Sequence, residues 1–263
     1  MDEPAITWEL DGRGVGSLTL NRPRVNNAYN AELVQAVLAA LDALAARDDV
    51  RVLVLRGAGR HFQAGADLAW LNDVAQRSEA DNIAASRATA EAVHRLNVAP
   101  LPTVALVQGA CFGGGTGIVA ACDVAIAADD AQFSIAETRW GLAAGIIIPQ
   151  LNDAIGVRQV RRYALTGERF GAEEARRIGL VHEVVPRAQL EDAGARMVDR
   201  ILQNAPGANA ETKAIALEHA WGDPGPQALG RLIEQHARRR QSDEAREGLA
   251  SFREKRAAAW YRS

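Results

Sequence analysis

Apolar residues change their spacing along this chain, and each spacing predicts a different element. Two short runs with alternating apolar positions, 5–10 and 15–20, flank Asp11-Gly12-Arg13-Gly14, a pattern typical of a β-hairpin. Asn30 then precedes apolar residues at helical spacing, which predicts a capped helix to about Ala46. Continuous apolar runs predict buried strands instead. They lie at 51–56, 103–107 and 123–127.

The second half of the chain is predicted to be mostly helical, with one short strand at 181–185. A helix over about 81–97 comes earlier, and two prolines separate it from the next strand. The later predicted helices cover 150–155, 157–166, 172–178, 189–203, 208–220, 227–239 and 243 to about 260. We therefore predict an α/β core over residues 1–203 and a helical region over 204–263.

Glycine is concentrated at 109–117, between a predicted strand and an apolar run at 118–121 that predicts the start of a buried helix. A strand, a glycine turn and a helix N-terminus leave backbone N–H groups unpaired. Such donors can stabilise a developing negative charge. A turn that only permits tight packing has the same glycines, so this stretch by itself leaves both interpretations open.

Composition and charge exclude several classes of protein. The chain has 263 residues and 48% hydrophobic content, enough for a sizeable core, and its net charge of −3 gives no field that selects nucleic acid. No apolar run reaches the roughly 18 residues of a membrane span. The two cysteines, Cys111 and Cys122, fit a reduced cytoplasm and give no support for a disulfide framework or a metal site. We expect a cytoplasmic protein.

Five short motifs carry a resemblance to a known family. They are Asn21-Arg22-Pro23, Gly57 to Phe62, Ala64 to Leu68, Phe112 to Gly115, and Gly179-Leu180-Val181. In this order and at this spacing they resemble the enoyl-CoA hydratase/isomerase, or crotonase, family, and the resemblance extends over almost the whole chain. It implies an α/β spiral of strand-strand-helix repeats, followed by a helical region that builds trimers, often stacked into hexamers.

The resemblance also implies the chemistry of the site. In the family, two backbone N–H groups stabilise the enolate of a CoA thioester, and at matching positions they belong to Ala66 and Gly114. Physical reasoning agrees, because conjugate addition or deprotonation places negative charge on the thioester oxygen, where preorganised amides are effective. Coenzyme A is then part of the substrate, and no separate cofactor is expected.

Binding of the nucleotide part of the substrate is carried over from the same resemblance. It assigns Arg24, Ala64 and Leu68 to the bound CoA, and Lys255 to the CoA of a neighbouring subunit. For Arg24 and Lys255, an ordinary solvated surface side chain is an equally good interpretation.

The proton chemistry departs from the family pattern. Its short-chain hydratases use two glutamates; the later one matches Glu137, whereas the earlier one falls on Gly117. A single carboxyl group can move a proton between two carbons, which is double-bond isomerisation. It can also hydrate, if it receives a proton from water and passes one to the α-carbon. Chemistry alone leaves both reactions open.

A finer resemblance favours hydration. The segments 64–71, 112–117 and 128–133 are similar to a bacterial branch that acts on methylglutaconyl-CoA and isohexenylglutaconyl-CoA, in leucine and acyclic-terpene breakdown. These acyl groups carry a second carboxylate, which Arg139 could bind through its guanidinium. The other interpretation of Arg139 is a structural salt-bridge or interface residue. We predict a hydratase for a branched glutaconyl-CoA, with an enoyl-CoA isomerase as the alternative.

Other polar residues have simpler interpretations. Asp67 is expected to cap a helix, and His61 and His182 to make structural hydrogen bonds. The basic run Arg238 to Arg240 gives the alternative from another class, a non-catalytic, RNA-binding member of the family. The negative net charge argues against this possibility.

Overall fold

In the computed structural model, which describes residues 3–220 and 225–262, the predicted hairpin forms one edge of a six-stranded sheet. Its two strands pair antiparallel from Ile6 with Leu20 to Leu10 with Gly16. The Asp11 carboxylate accepts the N–H groups of Arg13 (2.8 Å) and Val15 (2.9 Å), and these bonds close the turn.

The strands at 6–10, 15–20, 52–57, 103–107, 124–128 and 183–185 lie close to their predicted positions, whereas those at 110–112 and 170–171 were not predicted. In chain order, the strands are β1 (Ile6–Leu10), β2 (Val15–Leu20), β3 (Val52–Gly57), β4 (Thr103–Val107), β5 (Ala110–Phe112), β6 (Val124–Ala128), β7 (Gln132–Ser134), β8 (Phe170–Gly171) and β9 (Glu183–Val185). The large sheet has the order β1-β2-β3-β4-β6-β9, and every pair after the hairpin is parallel. The central strands are buried, as their continuous apolar runs predict.

The helices follow the predicted periodicity with shifts of a few residues. They are α1 (Ala31–Ala45), α2 (Leu68–Ala75), α3 (Glu79–Asn97), α4 (Gly114–Ala121), α5 (Ile148–Thr166), α6 (Ala172–Ile178), α7 (Leu190–Leu202), α8 (Pro206–Glu218), α9 (Gly225–Arg240) and α10 (Asp243–Glu254). Asn30 caps α1 through the Leu33 N–H at 3.0 Å, and Asp67 caps α2, both as predicted. Gly156 interrupts α5 with non-helical backbone angles, at the predicted boundary between two helices.

The predicted extension of the last helix to about residue 260 is wrong. Lys255 adopts a left-handed conformation (φ 52°) and ends α10. The chain then folds back, because the Glu247 carboxylate binds the Arg256 guanidinium at 2.6 Å and accepts the Ala259 N–H at 2.7 Å. Periodicity alone could not indicate this end, since alanine-rich sequence continues beyond it.

The glycine-rich stretch differs from its prediction as a simple turn. It contains β5, which pairs with β7 in a second sheet of order β5-β7-β8. It also contains the first turn of α4, which begins at Gly114, four residues before the predicted start at Ile118. Glycine is required there for close packing: a Cβ on Gly115 would lie 2.7 Å from the Gln63 carbonyl oxygen.

The predicted division into residues 1–203 and 204–263 stays a prediction. All elements after Asn204 are helices, although residues 221–224 and 263 lie outside the described part. Helices α9 and α10 expose large apolar side chains, namely Leu229, Ile233, Leu249 and Phe252. No helix among the described residues combines the length and apolar character of a membrane span.

Candidate active site

A cavity of about 480 Å³ brings most of the predicted site residues together. Its walls come from α1, α2, α3 and α4 and from the segment 134–147. Six of the eight predicted residues line it: Ala64, Ala66, Leu68, Gly114, Glu137 and Arg139. Arg24 is exposed in a short turn, Lys255 is exposed at the end of α10, and neither lines the cavity.

The Ala66 N–H is left unpaired by the way its loop is held. Residue Tyr29 donates its N–H to the Gly65 carbonyl (2.9 Å) and accepts the Asp67 N–H (2.9 Å), so it pairs with Ala66 as a parallel bridge. In such a pairing the N–H of the central residue points away from the partner strand. Accordingly, the Ala66 N–H has no hydrogen-bond partner among the described residues.

Gly114, the first residue of α4, supplies a second N–H that has no hydrogen-bond partner within residues 3–220 and 225–262. The preceding Gly113 has a φ of 50° and donates its N–H to the Ser134 carbonyl at 2.8 Å, which fixes the turn. A Cβ on Gly113 would lie 3.8 Å from the Gly65 Cα, so the two donor loops are in contact. The convergence of these loops, which the predicted oxyanion hole requires, is therefore present.

Gln63, which the sequence analysis did not single out, holds the two loops together. Its fully buried side chain donates to the Gly65 carbonyl (3.0 Å) and accepts the Gly65 N–H (2.9 Å). Its own carbonyl accepts the Phe112 N–H at 2.9 Å. A polar residue between Phe62 and Ala64 in an otherwise apolar segment was the available signal, but its partners depend on the tertiary fold.

Glu137 is the carboxyl group of the cavity. It begins a short 3-10 turn, and its Oε1 lies 2.9 Å from the position that a Cβ on Gly113 would occupy. Its Oε2 is buried and has no hydrogen-bond partner among the described residues. Burial raises the pKa of Glu137 above the ordinary value of 4.5. An unpartnered carboxyl with a raised pKa beside two free N–H donors is suited to proton transfer.

Gly117, which matches the earlier glutamate of the hydratases, faces a side chain instead of open space. A Cβ at this position would lie 2.2 Å from the Ile147 Cγ2 atom. Ile147 is buried and also lines the cavity. The place of a second carboxylate is thus filled with apolar atoms.

Tyr29 is a further cavity residue that the sequence analysis missed. Its Cε1 atom lies 2.8 Å from where a Cβ on Gly114 would be, and its ring meets Trp70 edge-on with centroids 5.6 Å apart. Burial and the neighbouring Glu137 carboxylate raise the pKa of Tyr29 to about 12. The phenol therefore stays neutral at ordinary pH.

Two arginines line the same cavity without a carboxylate partner among the described residues. The stem of Arg139 packs on Gly167, where a Cβ would lie 2.8 Å from Nε. Arg169 lies over the Phe112 ring, with its guanidinium carbon 5.0 Å from the ring centre. The sequence indicates only Arg139 as a candidate, because nothing local connects Arg169 with Phe112.

Several polar residues have structural partners, as expected. The His61 Nδ1 accepts the Ala110 N–H at 2.9 Å, and the His182 Nδ1 accepts the Ala125 N–H at 3.1 Å. Asp67 binds Arg22 at 3.1 Å besides capping α2. Among the residues that the structure describes, no three His, Cys, Asp or Glu side chains lie close enough to hold a metal ion.

The fold and the chain both match known proteins. A model of the family described as enoyl-CoA hydratase/isomerase matches residues 11–263. The crystal structure of an enoyl-CoA hydratase from Shewanella pealeana superposes with a TM-score of 0.93, is 33% identical, and matches over 97% of this chain and 96% of that chain. This likeness confirms the predicted α/β crotonase fold.

Two relatives are named for different reactions. The mitochondrial Delta(3,5)-Delta(2,4)-dienoyl-CoA isomerase of Dictyostelium discoideum is 30% identical over 256 residues, 94% of this chain and 87% of its own. The mevalonyl-coenzyme A hydratase of Beauveria bassiana is 31% identical over 252 residues, 92% of this chain and 90% of its own. On the family match and these likenesses, the chain belongs to the enoyl-CoA hydratase/isomerase family.

Proposed function

We propose that the protein adds water to an α,β-unsaturated acyl-CoA whose acyl group is branched and acidic, with 3-methylglutaconyl-CoA and isohexenylglutaconyl-CoA as the candidate substrates. The observation that carries the proposal is the composition of one cavity. It combines the unpartnered carboxyl of Glu137, the free N–H groups of Ala66 and Gly114, and two arginines without a carboxylate partner in the described chain.

The thioester oxygen accepts hydrogen bonds from the Ala66 and Gly114 N–H groups. Each such donor is worth roughly 3–4 kcal/mol for the charge that develops on this oxygen. Because both donors are backbone groups held by neighbouring hydrogen bonds, they need little reorganisation when the enolate forms.

Glu137 acts first as a base and then as an acid. As the water oxygen bonds to the β-carbon, the carboxylate takes a proton from the water, and the double-bond electrons move onto the thioester oxygen. The enolate then collapses and takes that proton from Glu137 onto the α-carbon. One water molecule is added overall, and the carboxylate is regenerated.

The acidic end of the acyl group is bound by Arg139 and Arg169. A guanidinium binds a carboxylate through two parallel hydrogen bonds, and a cavity arginine without an internal partner is available to do so. The apolar wall formed by Leu33, Val37 and Leu96 accommodates a hydrocarbon branch. The relative named for mevalonyl-CoA, itself a methyl-branched thioester, is consistent with such a substrate.

The outer part of the substrate requires further residues. Ala64 and Leu68 at the cavity rim contact CoA, and Arg24 together with Lys255 of a neighbouring subunit binds its phosphates. This arrangement needs a trimer or a dimer of trimers. The apolar side chains that α9 and α10 expose are suited to that contact.

The absorbance of the conjugated thioester tests the reaction. The substrates are 3-methylglutaconyl-CoA, crotonyl-CoA and a 3-enoyl-CoA, each with the wild type and Glu137→Gln. We expect the absorbance of the glutaconyl thioester to fall with the wild type and to stay constant with the variant. A rise that occurs only with the 3-enoyl-CoA, and no loss with the other two, would replace hydration by isomerisation.

Isomerisation is the second candidate because of one observation. Ile147 fills the space beside Gly117, so the protein lacks the second carboxylate of the family's hydratases at that place. RNA binding has less support, since Arg239 of the basic run already pairs with Glu211 and Glu244. A salt-dependent shift of RNA mobility at physiological salt would be needed to favour it.

A further inference from the structure

Hydration with one carboxyl leaves one requirement unmet. Glu137 takes one hydrogen of the attacking water, but the water is oriented only if its second hydrogen is also bound. The position of residue 117 cannot supply this acceptor, because Ile147 occupies the space beside it. Another group that lines the cavity has to do so.

The polar side chains of the cavity leave few choices. Ser134 donates its hydroxyl to the Gly167 carbonyl (3.1 Å) and Thr89 donates to the Ala85 carbonyl (3.0 Å), so each hydroxyl is held against backbone, with lone pairs left that can accept. The two arginines have no acceptor atom. Ser86 lines the cavity from α3 and also borders a shallow groove beside Ile83 and Arg87.

Tyr29 differs from these residues in its surroundings. Its backbone flanks the Ala66 donor on both sides, and its ring lies against Gly114, so the side chain is fixed between the two oxyanion donors. Trp70 holds the other edge of the ring. The hydroxyl has no hydrogen-bond partner in residues 3–220 and 225–262, and the Glu137 carboxylate is close enough to act on it electrostatically.

We propose that the Tyr29 hydroxyl binds the attacking water together with Glu137, and so takes the part of the missing second glutamate. This role rests on the hydratase activity proposed above. The phenol oxygen accepts a hydrogen bond from the water hydrogen that does not move to Glu137, which directs the oxygen lone pair at the β-carbon. Tyr29 neither gains nor loses a proton during the step, in keeping with its neutral phenol.

The proposed role of Tyr29 predicts different effects on two reactions that use Glu137. Hydration needs both the carboxyl and an oriented water. Exchange of the α-proton of a saturated thioester with solvent deuterium needs the carboxyl and the oxyanion hole only. Removal of the Tyr29 hydroxyl should therefore slow the first reaction and spare the second.

The test compares Tyr29→Phe with the wild type in both assays, hydration of an enoyl-CoA and deuterium exchange into butyryl-CoA. Since the variant keeps the ring that packs on Gly114 and Trp70, we expect it to fold with the wild-type melting temperature. The kcat for hydration should fall about 10–100-fold, the size of one lost hydrogen bond to a reacting group, with KM and the exchange rate unchanged. Tyr261→Phe, which removes a phenol hydroxyl from a partly buried side chain that packs against a different part of the core, is the matched control and should change neither rate.

Two results would overturn the role of Tyr29 without overturning the hydratase activity. One is a Tyr29→Phe variant that hydrates at the wild-type rate. The other is a fall of hydration and exchange by the same factor in that variant. The second result would mean that the hydroxyl supports Glu137 or the loop and not the water. Absence of hydration by the wild type, with exchange intact, would instead overturn the hydratase activity on which the role depends.

Discussion

The Cγ2 atom of Ile147 lies 2.2 Å from the place that a Cβ on Gly117 would occupy. This distance is far below van der Waals contact, so Ile147 in its present position requires a glycine at residue 117. The family's earlier glutamate cannot be restored here by a single substitution without displacing the isoleucine. The one-carboxylate site is thus a property of the packing and not only of one residue.

Gly117→Glu should therefore lower the free energy of unfolding without increasing the rate of hydration. Overpacking of a core costs typically about 1–3 kcal/mol, and here a carboxyl is added to an apolar contact as well. Denaturation by urea measures the loss. In an Ile147→Ala background the loss should be smaller, because Cγ2 is absent; an equal loss in both backgrounds would contradict this requirement.

Glu137→Gln should stabilise the protein at neutral pH. Burial raises the pKa of Glu137 in the folded state above the unfolded value of about 4.5. Ionisation of Glu137 therefore lowers the free energy of unfolding, and the full loss is present at every pH above the folded pKa. The neutral amide avoids that loss. The melting temperature of the variant should exceed that of the wild type at pH 7–8, and the difference should decline as the pH falls through the folded pKa and level off near about pH 4.5. A difference that does not vary with pH would mean that burial of the charge is not its cause.

Asn27→Ala should destabilise the loop that leads to Ala66. The buried Asn27 amide donates to the carbonyls of Ala58 (2.9 Å), His61 (2.8 Å) and Phe62 (3.1 Å). Loss of these bonds leaves one buried and two partly buried carbonyl groups unpaired, at a cost of about 1–3 kcal/mol. Urea denaturation measures this cost, and activity should fall with it.

A matched control for Asn27 is its neighbour. Asn26 has nearly the same left-handed φ (55° against 57°) but is exposed. Asn26→Ala therefore destabilises the protein only through the left-handed conformation that alanine disfavours, since no buried hydrogen bonds are lost. Equal losses in the two variants would show that the amide bonds contribute nothing.

Local features of the sequence predicted the elements well, because their causes are local. Asn30 and Asp67 cap the helices that follow them, and the turn at Asp11 closes the hairpin through bonds within four residues. The predicted donors Ala66 and Gly114 lie on loops that do converge, which the resemblance to the family implied and spacing alone did not. Their roles in catalysis stay predictions.

The residues that complete the candidate site were not predictable in the same way. Gln63 reaches both loops, Tyr29 reaches from one donor to the other, and Arg169 lies on Phe112 far from it in sequence. Each of these contacts is made only after the sheets and helices have packed. A polar residue in an apolar segment, or an arginine in a predicted loop, indicates no partner by itself.

Arg139→Leu and Arg169→Leu should change which acyl group the protein accepts. If the two guanidinium groups bind the second carboxylate, each loss removes a charge-assisted contact of about 1.5–3 kcal/mol, which raises KM for 3-methylglutaconyl-CoA roughly 10–100-fold. The contact is the same in the ground state and the transition state, so kcat should remain close to that of the wild type. Crotonyl-CoA lacks the carboxylate, and its KM should not change.

Arg162, which lies over the Tyr163 ring outside the cavity, provides the control, since Arg162→Leu should leave the ratio of the two KM values unaltered. Equal increases for both thioesters would mean that Arg139 and Arg169 shape the cavity but do not bind the acidic end of the substrate.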